Sequence, residues 1–277
     1  MKNRLTRQLQ GFSRTPPLWE NRDVFGLQQF DFPKYSIPEN IDLQRAIPDL
    51  ETNYVLGKRM ERYFEFLLKY SNNIKVLKSN IQIQQEKITL GEIDFLAEDI
   101  LLDQHHHIEL VYKFYVYDPS YENGLARWIG PNRKDSLLQK IEKLKQRQFP
   151  ILYKPETKEA LSLLGLKAED FAQSVCFKAS LFIPKGIQYT HLLQLNKNCI
   201  SGFWMHFDEF TSEEYSGHNY YIPNKQDWPV HPEFSEEWFS YSEIKKDILM
   251  QHQKKKSPLV WMRKNSREFE RIFIVWW

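Results

Sequence analysis

Glycine is scarce in this chain of 277 residues, and the few glycines do not form a nucleotide-binding loop. The sequence has 10 glycines, and neither GxGxxG nor GxxxxGK[ST] occurs. Those motifs require glycine because the backbone must turn tightly and approach a phosphate closely. A dinucleotide-binding protein or a P-loop protein is therefore not expected.

Cysteine is rarer still, with Cys176 and Cys199 as the two examples. Two cysteines cannot build a disulfide framework, and this pair lacks the CxxC spacing of a metal site. The N-terminal residues lack the apolar segment of a signal peptide, and no run of 18 apolar residues occurs. We therefore expect a reduced, cytoplasmic protein without a membrane partner.

A strong excess of charge of either sign is also missing. Lys and Arg number 38 against 36 Asp and Glu, so the formal net charge is +2. This balance neither establishes nor excludes a nucleic-acid partner, because a local basic patch is enough to bind phosphates. At 277 residues the chain is long enough for one large domain or two small ones with a sizeable core. Aromatic residues are abundant, at 15%.

The periodicity of the chain predicts an α/β fold. Residues 52–149 are predicted as a core, and residues 1–51 as a helical or irregular extension before it. Residues 150–277 are predicted as an α/β extension, and the alternative is that this extension is continuous with the core. Within the core we expect a helix at 52–70 capped by Thr52 or Asn53, strands at 80–86, 90–98 and 105–117, and a basic helix at 134–148 capped by Asn132. Later we expect a helix at 156–173, strands in "SVCFKASLFI", "CISGFWMHF", "SPLVWMRK" and "FERIFIVWW", and a helix at 240–254.

The strand that contains "HIELVYKFYV" has two charged residues on one of its faces. Because side chains alternate along a strand, Glu109 and Lys113 share a face with His105, His107 and Val111. The opposite face is apolar throughout, with Ile108, Leu110, Tyr112, Phe114 and Val116.

Two further carboxylates have positions that could complement Glu109. Asp94 lies in the preceding strand, "GEIDFLAED", and Glu61 lies on the first core helix, one turn after Gly57, whose missing side chain would permit close approach. Mg²⁺ prefers a few carboxylate oxygens and keeps some waters, and a nearby cation can activate water or stabilise phosphorane charge. These residue types predict a metal-dependent phosphodiesterase site.

The order of these residues resembles the PD-(D/E)XK nuclease superfamily. Over nearly its whole length the sequence is also similar to a bacterial family, domain-of-unknown-function family 1853, through "LGKRMERYF", "LGEIDFL", "IELVYKFYV", "GPNRKDSLLQKIEKLKQRQ" and "PLVWMRK" with "FERIFIVWW". The superfamily resemblance, which covers about residues 52–149, implies a restriction-endonuclease-like core with a mixed central sheet flanked by helices. We expect an α+β extension after this core. The resemblance also implies Mg²⁺ or Mn²⁺ binding and hydrolysis of DNA or another nucleic acid.

The resemblance further implies roles for individual residues. Glu61, Asp94 and Glu109 would hold the metal, while Lys113 would position water or stabilise charge in the transition state. On the basic helix, Lys140, Lys143 and Gln148 would contact nucleic acid or support the site.

One position departs from the superfamily pattern. The second acid should stand two residues before the lysine, where this chain has Val111. Glu109 and Lys113 are about 13 Å apart along a regular strand, against about 7 Å for the usual spacing. A β-bulge could shorten this distance.

The register of the hairpin is a second way to complete the site. Asp94 faces Glu109 if the loop is 99–104, and faces Lys113 if the loop is only 103–104. The first register gives a pair of carboxylates able to bind metal, whereas the second gives a salt bridge.

Other interpretations of the same residues remain open at this point. His105, His107 and Glu109 could bind zinc from one strand face. The basic helix could be a solvated face without a ligand, and a catalytically inactive fold could serve as a nucleic-acid or protein interaction module.

Overall fold

Alternating polar and apolar residues in the middle of the chain build one side of a large sheet. The computed structural model describes residues 2–20, 23–38, 41–47, 50, 55–122, 124–187 and 195–277. Its strands are β1 (Asp23–Val24), β2 (Leu27–Gln28), β3 (Ile74–Gln85), β4 (Ile88–Asp99), β5 (Gln104–Tyr117), β6 (Trp128–Ile129), β7 (Phe171–Pro184), β8 (Ile200–His206), β9 (Asn219–Tyr221), β10 (Leu259–Arg263) and β11 (Phe269–Val275). The predicted core strands are therefore present, and those at 80–86 and 90–98 are longer than expected.

Helices pack around these strands. They are α1 (Lys2–Arg14), α2 (Leu43–Ala46), α3 (Leu56–Lys69), α4 (Leu137–Lys143), α5 (Pro155–Ser162), α6 (Ser212–Tyr215) and α7 (Tyr241–Gln253). A π-helical turn, Leu144–Gln148, and a 3₁₀ helix, Phe149–Tyr153, continue directly from α4.

Among the described residues, nine strands form one mixed sheet. Its order is β3-β4-β5-β7-β8-β11-β10-β9, with β6 paired to β5 outside this path. The central pairs β5–β7, β7–β8 and β8–β11 are parallel. The pairs on either side of them, β3–β4, β4–β5, β11–β10 and β10–β9, are antiparallel. The predicted α/β class, with a large mixed sheet flanked by helices, is confirmed.

β5 is buried on both faces, as is usual for a strand with a parallel neighbour. Its apolar face packs in a core cluster with residues of α1 and α3, including Phe12, Met60 and Phe64. On the other face, Val111 and Tyr115 pack against α4 in a second cluster. The polar residues of that second face are therefore held between the sheet and α4.

Part of the predicted helix at 156–173 is wrong. α5 ends at Ser162, and β7 begins at Phe171. Gly165 adopts a left-handed conformation with φ 70°, and the N–H of Leu166 bonds to the carbonyl of Leu161, at 3.1 Å. This is the pattern by which a glycine ends a helix.

The predicted helix caps also require correction. Ser136, and not Asn132, caps α4 by accepting a hydrogen bond from the N–H of Gln139 at 3.2 Å. Asn132 instead accepts a bond from the N–H of Ser257. The cap proposed at Thr52 or Asn53 lies outside the described residues, and α3 follows Val55.

Within the described ranges, no helix has both the length and the apolar composition needed to cross a membrane.

Candidate active site

The turn between β4 and β5 determines which residues of the two strands face each other. Asp99 Oδ1 accepts hydrogen bonds from the N–H groups of Leu101 at 3.0 Å and Leu102 at 3.1 Å. Asp103 adopts a left-handed conformation with φ 49°. An aspartate that bonds to the backbone two and three residues later stabilises a turn of defined length. The loop is therefore 100–103, between the paired residues Asp99 and Gln104.

This turn selects the register in which the two strands present a pair of carboxyl groups. The β4–β5 pairing reaches Phe95 opposite Ile108. Extending this register by one residue puts Asp94 opposite Glu109. Asp94 Oδ2 accepts a hydrogen bond of 2.9 Å from the N–H of Leu110, which places its carboxyl group on β5. The alternative register, with Asp94 facing Lys113, is wrong.

Asp94 and Glu109 are unusual because both carboxyl groups are withdrawn from water. Their exposed fractions are 9% and 0%. Burial raises the pKa of each to about 7, and the charge of Glu109 raises that of Asp94 further. The charge of Lys140 and hydrogen bonding by Asp94 act in the opposite direction and lower the pKa of Glu109. Two carboxyl groups this close cannot both ionise easily, so a cation or a proton is needed between them.

Glu61 lies next to this pair on α3. Burial raises its pKa to about 7, and the charges of Asp94 and Glu92 raise it as well, against the effect of Lys58. Lys58 Nζ lies 2.9 Å from Glu61 Oε2 and 2.5 Å from Glu92 Oε1. An added Cβ at Gly57 would meet no atom within 4 Å, so the close approach predicted at that glycine is wrong.

His107 is hydrogen-bonded to the carboxyl group of Glu109. The Gln173 side-chain Nε2 donates to Phe149 O at 2.8 Å and lies 3.0 Å from His107 Nδ1. Because an amide nitrogen can only donate, His107 Nδ1 accepts and its Nε2 carries the proton. That Nε2 donates to Glu109 Oε1 at 3.0 Å. Burial lowers the pKa of His107 to about 4, which keeps the ring neutral and in this tautomer.

The helix after β6 contributes a lysine and a glutamine. Gln148 Nε2 donates to Glu109 Oε2, and Lys140 Nζ donates to Gln148 Oε1 at 2.7 Å. Gln148 ends the π-helical turn, a local widening that often occurs at functional sites. Burial lowers the pKa of Lys140 to about 8, while Glu109 raises it and the exposed Lys143 lowers it further. The chain therefore brings Lys140 and Gln148 to the carboxyl pair and leaves Lys143 at its margin.

Lys113 has a different environment from the one predicted. Its Nζ lies 2.5 Å from Asp135 Oδ2. β5 pairs with β7 in one unbroken register from His105 to Val116, so no bulge shortens the distance between Glu109 and Lys113. Val111, where the usual acid would stand, is buried in the core.

The oxygen donors at this site suit a hard cation better than zinc. Among the described residues, no group of three or more His, Cys, Asp or Glu side chains is arranged to hold a metal ion. Both ring nitrogens of His107 are already hydrogen-bonded, which leaves no lone pair for zinc. Mg²⁺ is commonly bound by one or two carboxylates with waters and substrate phosphates, and Asp94 with Glu109 meets that smaller requirement.

The match to known proteins extends over almost the whole chain. A family model described as a domain of unknown function, DUF1853, matches residues 7–275. The chain belongs to the DUF1853 family. No curated protein and no solved structure matches it.

Some residues of this DUF1853 site were missed by the sequence interpretation. Glu92 lies two positions before Asp94 on the same strand face, so alternation alone could have included it. His107 was considered only as a zinc ligand. Gln173 could not have been found, because it lies in β7, in a stretch predicted as helix.

Proposed function

We propose that this DUF1853 protein is a metal-dependent phosphodiester hydrolase, a nuclease, with a restriction-endonuclease-like core in residues 52–149. The observation that carries the proposal is the pair of buried carboxyl groups of Asp94 and Glu109 on adjacent strands, each with its pKa raised to about 7. A fold that needed only stability would not require two acids here, because burying mutually repelling carboxyl groups is unfavourable.

Mg²⁺ or Mn²⁺ is the cofactor that this donor set fits. Asp94 and Glu109 would hold the ion, with Glu61 as the neighbouring third carboxylate. A bound ion would supply charge stabilisation at a phosphodiester and a water of lowered pKa. His107 and Gln148 each bond one oxygen of Glu109, and these two bonds orient its carboxyl group.

Lys140 is the better candidate for the cation predicted at Lys113. The charge of Lys140 lowers the pKa of both Asp94 and Glu109, which places it near the pair. Its own pKa of about 8 leaves part of the population neutral near neutral pH, so Nζ can accept or return a proton. Lys113 is bonded to Asp135, and its predicted catalytic role stays a prediction.

Replacing Asp94 by asparagine tests the proposal. Asp94→Asn keeps an oxygen for the Leu110 N–H and removes the charge, so Mg²⁺-dependent cleavage of labelled single-stranded DNA, duplex DNA or RNA should fall by more than about 100-fold. Asp208→Asn, at an exposed aspartate away from the pair, is the matched control and should keep wild-type activity. In the same assay, Lys140→Met should lower the rate more than Lys113→Met.

Two results would argue against the proposal. Cleavage by Asp94→Asn at the wild-type rate would exclude the carboxyl pair as the catalytic centre. Nucleic-acid or protein binding that survives the substitution, with no cleavage by the wild type of any of the three substrates, would favour a non-catalytic interaction module.

A further inference from the structure

A pocket of about 940 Å³ shares β5 and α3 with the candidate active site, but the carboxyl pair does not line it. It lies between the start of α3, the middle of β5 and the segments that follow β6 and β9. Four basic residues line it: Arg4, Lys113, Lys134 and Lys225. Asp135 is the acidic residue of the lining, and Phe114 and Trp228 contribute apolar surface.

Two of the four basic residues pair with no carboxylate of the described residues. Arg4 is bonded to both oxygens of Asp227, at 2.8 and 2.6 Å, and Lys113 is bonded to Asp135. Lys134 and Lys225 are exposed, and neither forms an ion pair with any carboxylate in the described parts of the chain. The pocket therefore has an excess of positive charge.

Lys225 lies within reach of the charges of other lysines. Partial desolvation lowers its pKa, and the charges of Lys113, Lys134 and Lys256 lower it further, against the opposing effect of Asp135. Crowded ammonium groups of this kind are stabilised by an anion that binds between them.

The start of α3 adds to the same electrostatic field. Leu56 and Gly57 line the pocket, and they are the first residues of a helix of 14 residues. Val55, which precedes them, gives no side-chain cap to the first N–H groups of the helix. The positive end of the helix dipole favours phosphate at this position.

Two elements lead from the pocket to the carboxyl pair. Along β5, Lys113 lies on the same face as Glu109, about 13 Å away at about 3.3 Å per residue. Along α3, Gly57 at the pocket is one turn before Glu61. The charge of Lys113 also lowers the pKa of Lys140, so a residue of the pocket interacts electrostatically with a residue of the candidate active site.

We propose that this pocket binds phosphate groups of a single nucleic-acid strand, next to the phosphodiester that lies at Asp94 and Glu109. The inference rests on the proposed nuclease function and adds which face of the protein takes the substrate. A pocket of this volume is in the range of small-ligand sites, about 300–1,000 Å³, so it admits a few nucleotides of one strand and not a duplex.

Binding measured without cleavage tests the pocket alone. In the Asp94→Asn background with EDTA, fluorescence anisotropy follows a labelled single strand of about 20 nucleotides. Lys134→Ala with Lys225→Ala should weaken binding about 10-fold or more at low salt, and should reduce the slope of log affinity against log salt by about 1.4, at about 0.7 per phosphate contact. Lys87→Ala with Lys246→Ala, at exposed lysines outside the pocket, should change neither quantity. Equal melting temperatures confirm that all variants are folded.

The outcomes separate this proposal from the proposed function. If binding depends on Lys134 and Lys225 but the wild type cleaves nothing, the pocket stands and the nuclease function fails. If the wild type cleaves and the lysine pair does not matter, the pocket proposal is wrong. Tighter binding of duplex than of single strand, or binding of a mononucleotide with no binding of the strand, would also overturn it.

Discussion

At the scale of the residue, the most informative groups are carboxyl groups that are hard to ionise. Glu61, Asp94 and Glu109 all have a pKa of about 7, because burial and their mutual charges disfavour the carboxylate form. In an unfolded chain these groups titrate near about 4. The folded protein therefore binds more protons than the unfolded chain between about pH 4 and pH 7.

This difference predicts how stability depends on pH. Without divalent cations, the free energy of unfolding should fall as pH rises from 5 to 8, because the unfolded chain loses its protons first. His107 has its pKa lowered to about 4, so it makes the free energy of unfolding rise with pH up to about pH 6.5. This single group opposes three carboxyl groups, so the net change is still a fall. Asp94→Asn should reduce the fall by at least about 1 kcal/mol, since one pKa unit is about 1.4 kcal/mol.

Urea unfolding at pH 5, 6, 7 and 8 in EDTA measures this effect. Asp208→Asn, at an exposed group, should give a curve parallel to that of the wild type. A parallel curve for Asp94→Asn would instead mean that Asp94 is ionised in the folded protein at low pH, which would contradict its buried environment.

At the scale of the element, close backbone contacts limit what the sheet tolerates. Gly202 lies in β8, which pairs with β11 in parallel. A Cβ at this position would lie 2.1 Å from the backbone oxygen of Arg271 and 3.0 Å from the ring of Phe182. A backbone oxygen within a sheet cannot move aside without breaking strand pairing.

Gly202→Ala should therefore destabilise the protein by about 1–3 kcal/mol, the usual cost of overpacking. Gly217→Ala is the matched control, because a Cβ there would meet no atom within 4 Å, and its effect should be within about 0.5 kcal/mol. Chemical unfolding of both variants measures the difference. Equal stability of the two would show that β8 and β11 can separate at no cost.

At the scale of the whole molecule, the sheet crosses the boundary expected near residue 150. β5 lies before that boundary and pairs with β7, which lies after it, from His105 with Phe171 to Val116 with Phe182. The N-terminal segment also bonds to β7, through the N–H of Leu18 to the carbonyl of Phe177 at 2.8 Å.

A fragment of residues 1–150 should therefore not fold on its own. It would expose the full length of β5 as an unpaired edge and lose the strand against which its core packs. Circular dichroism and limited proteolysis of the fragment, beside the full chain, check this expectation. A cooperative transition of the fragment near the melting temperature of the full chain would instead establish an independent core domain.

The local pattern of the sequence was enough to predict much of the fold. Alternation identified the two faces of β5, and helical spacing located α3 and the basic helix, although not the residue that caps α4. The order of Glu61, Asp94 and Glu109 was also readable, because each lies in an element with a clear period. The end of α5 was missed because one glycine at a left-handed φ overrode the helical pattern of its neighbours.

Sequence alone determined which residues of each strand share a face, because side-chain direction is a property of the local backbone. Only the tertiary structure decided which of them meet. The Asp99 turn placed Asp94 opposite Glu109 and not Lys113. Lys140 and Gln148 reach Glu109 through the packing of a helix on the sheet, and Gln173 comes from a distant strand. Such neighbours depend on contacts between segments far apart in the chain, and the spacing within one segment does not specify them.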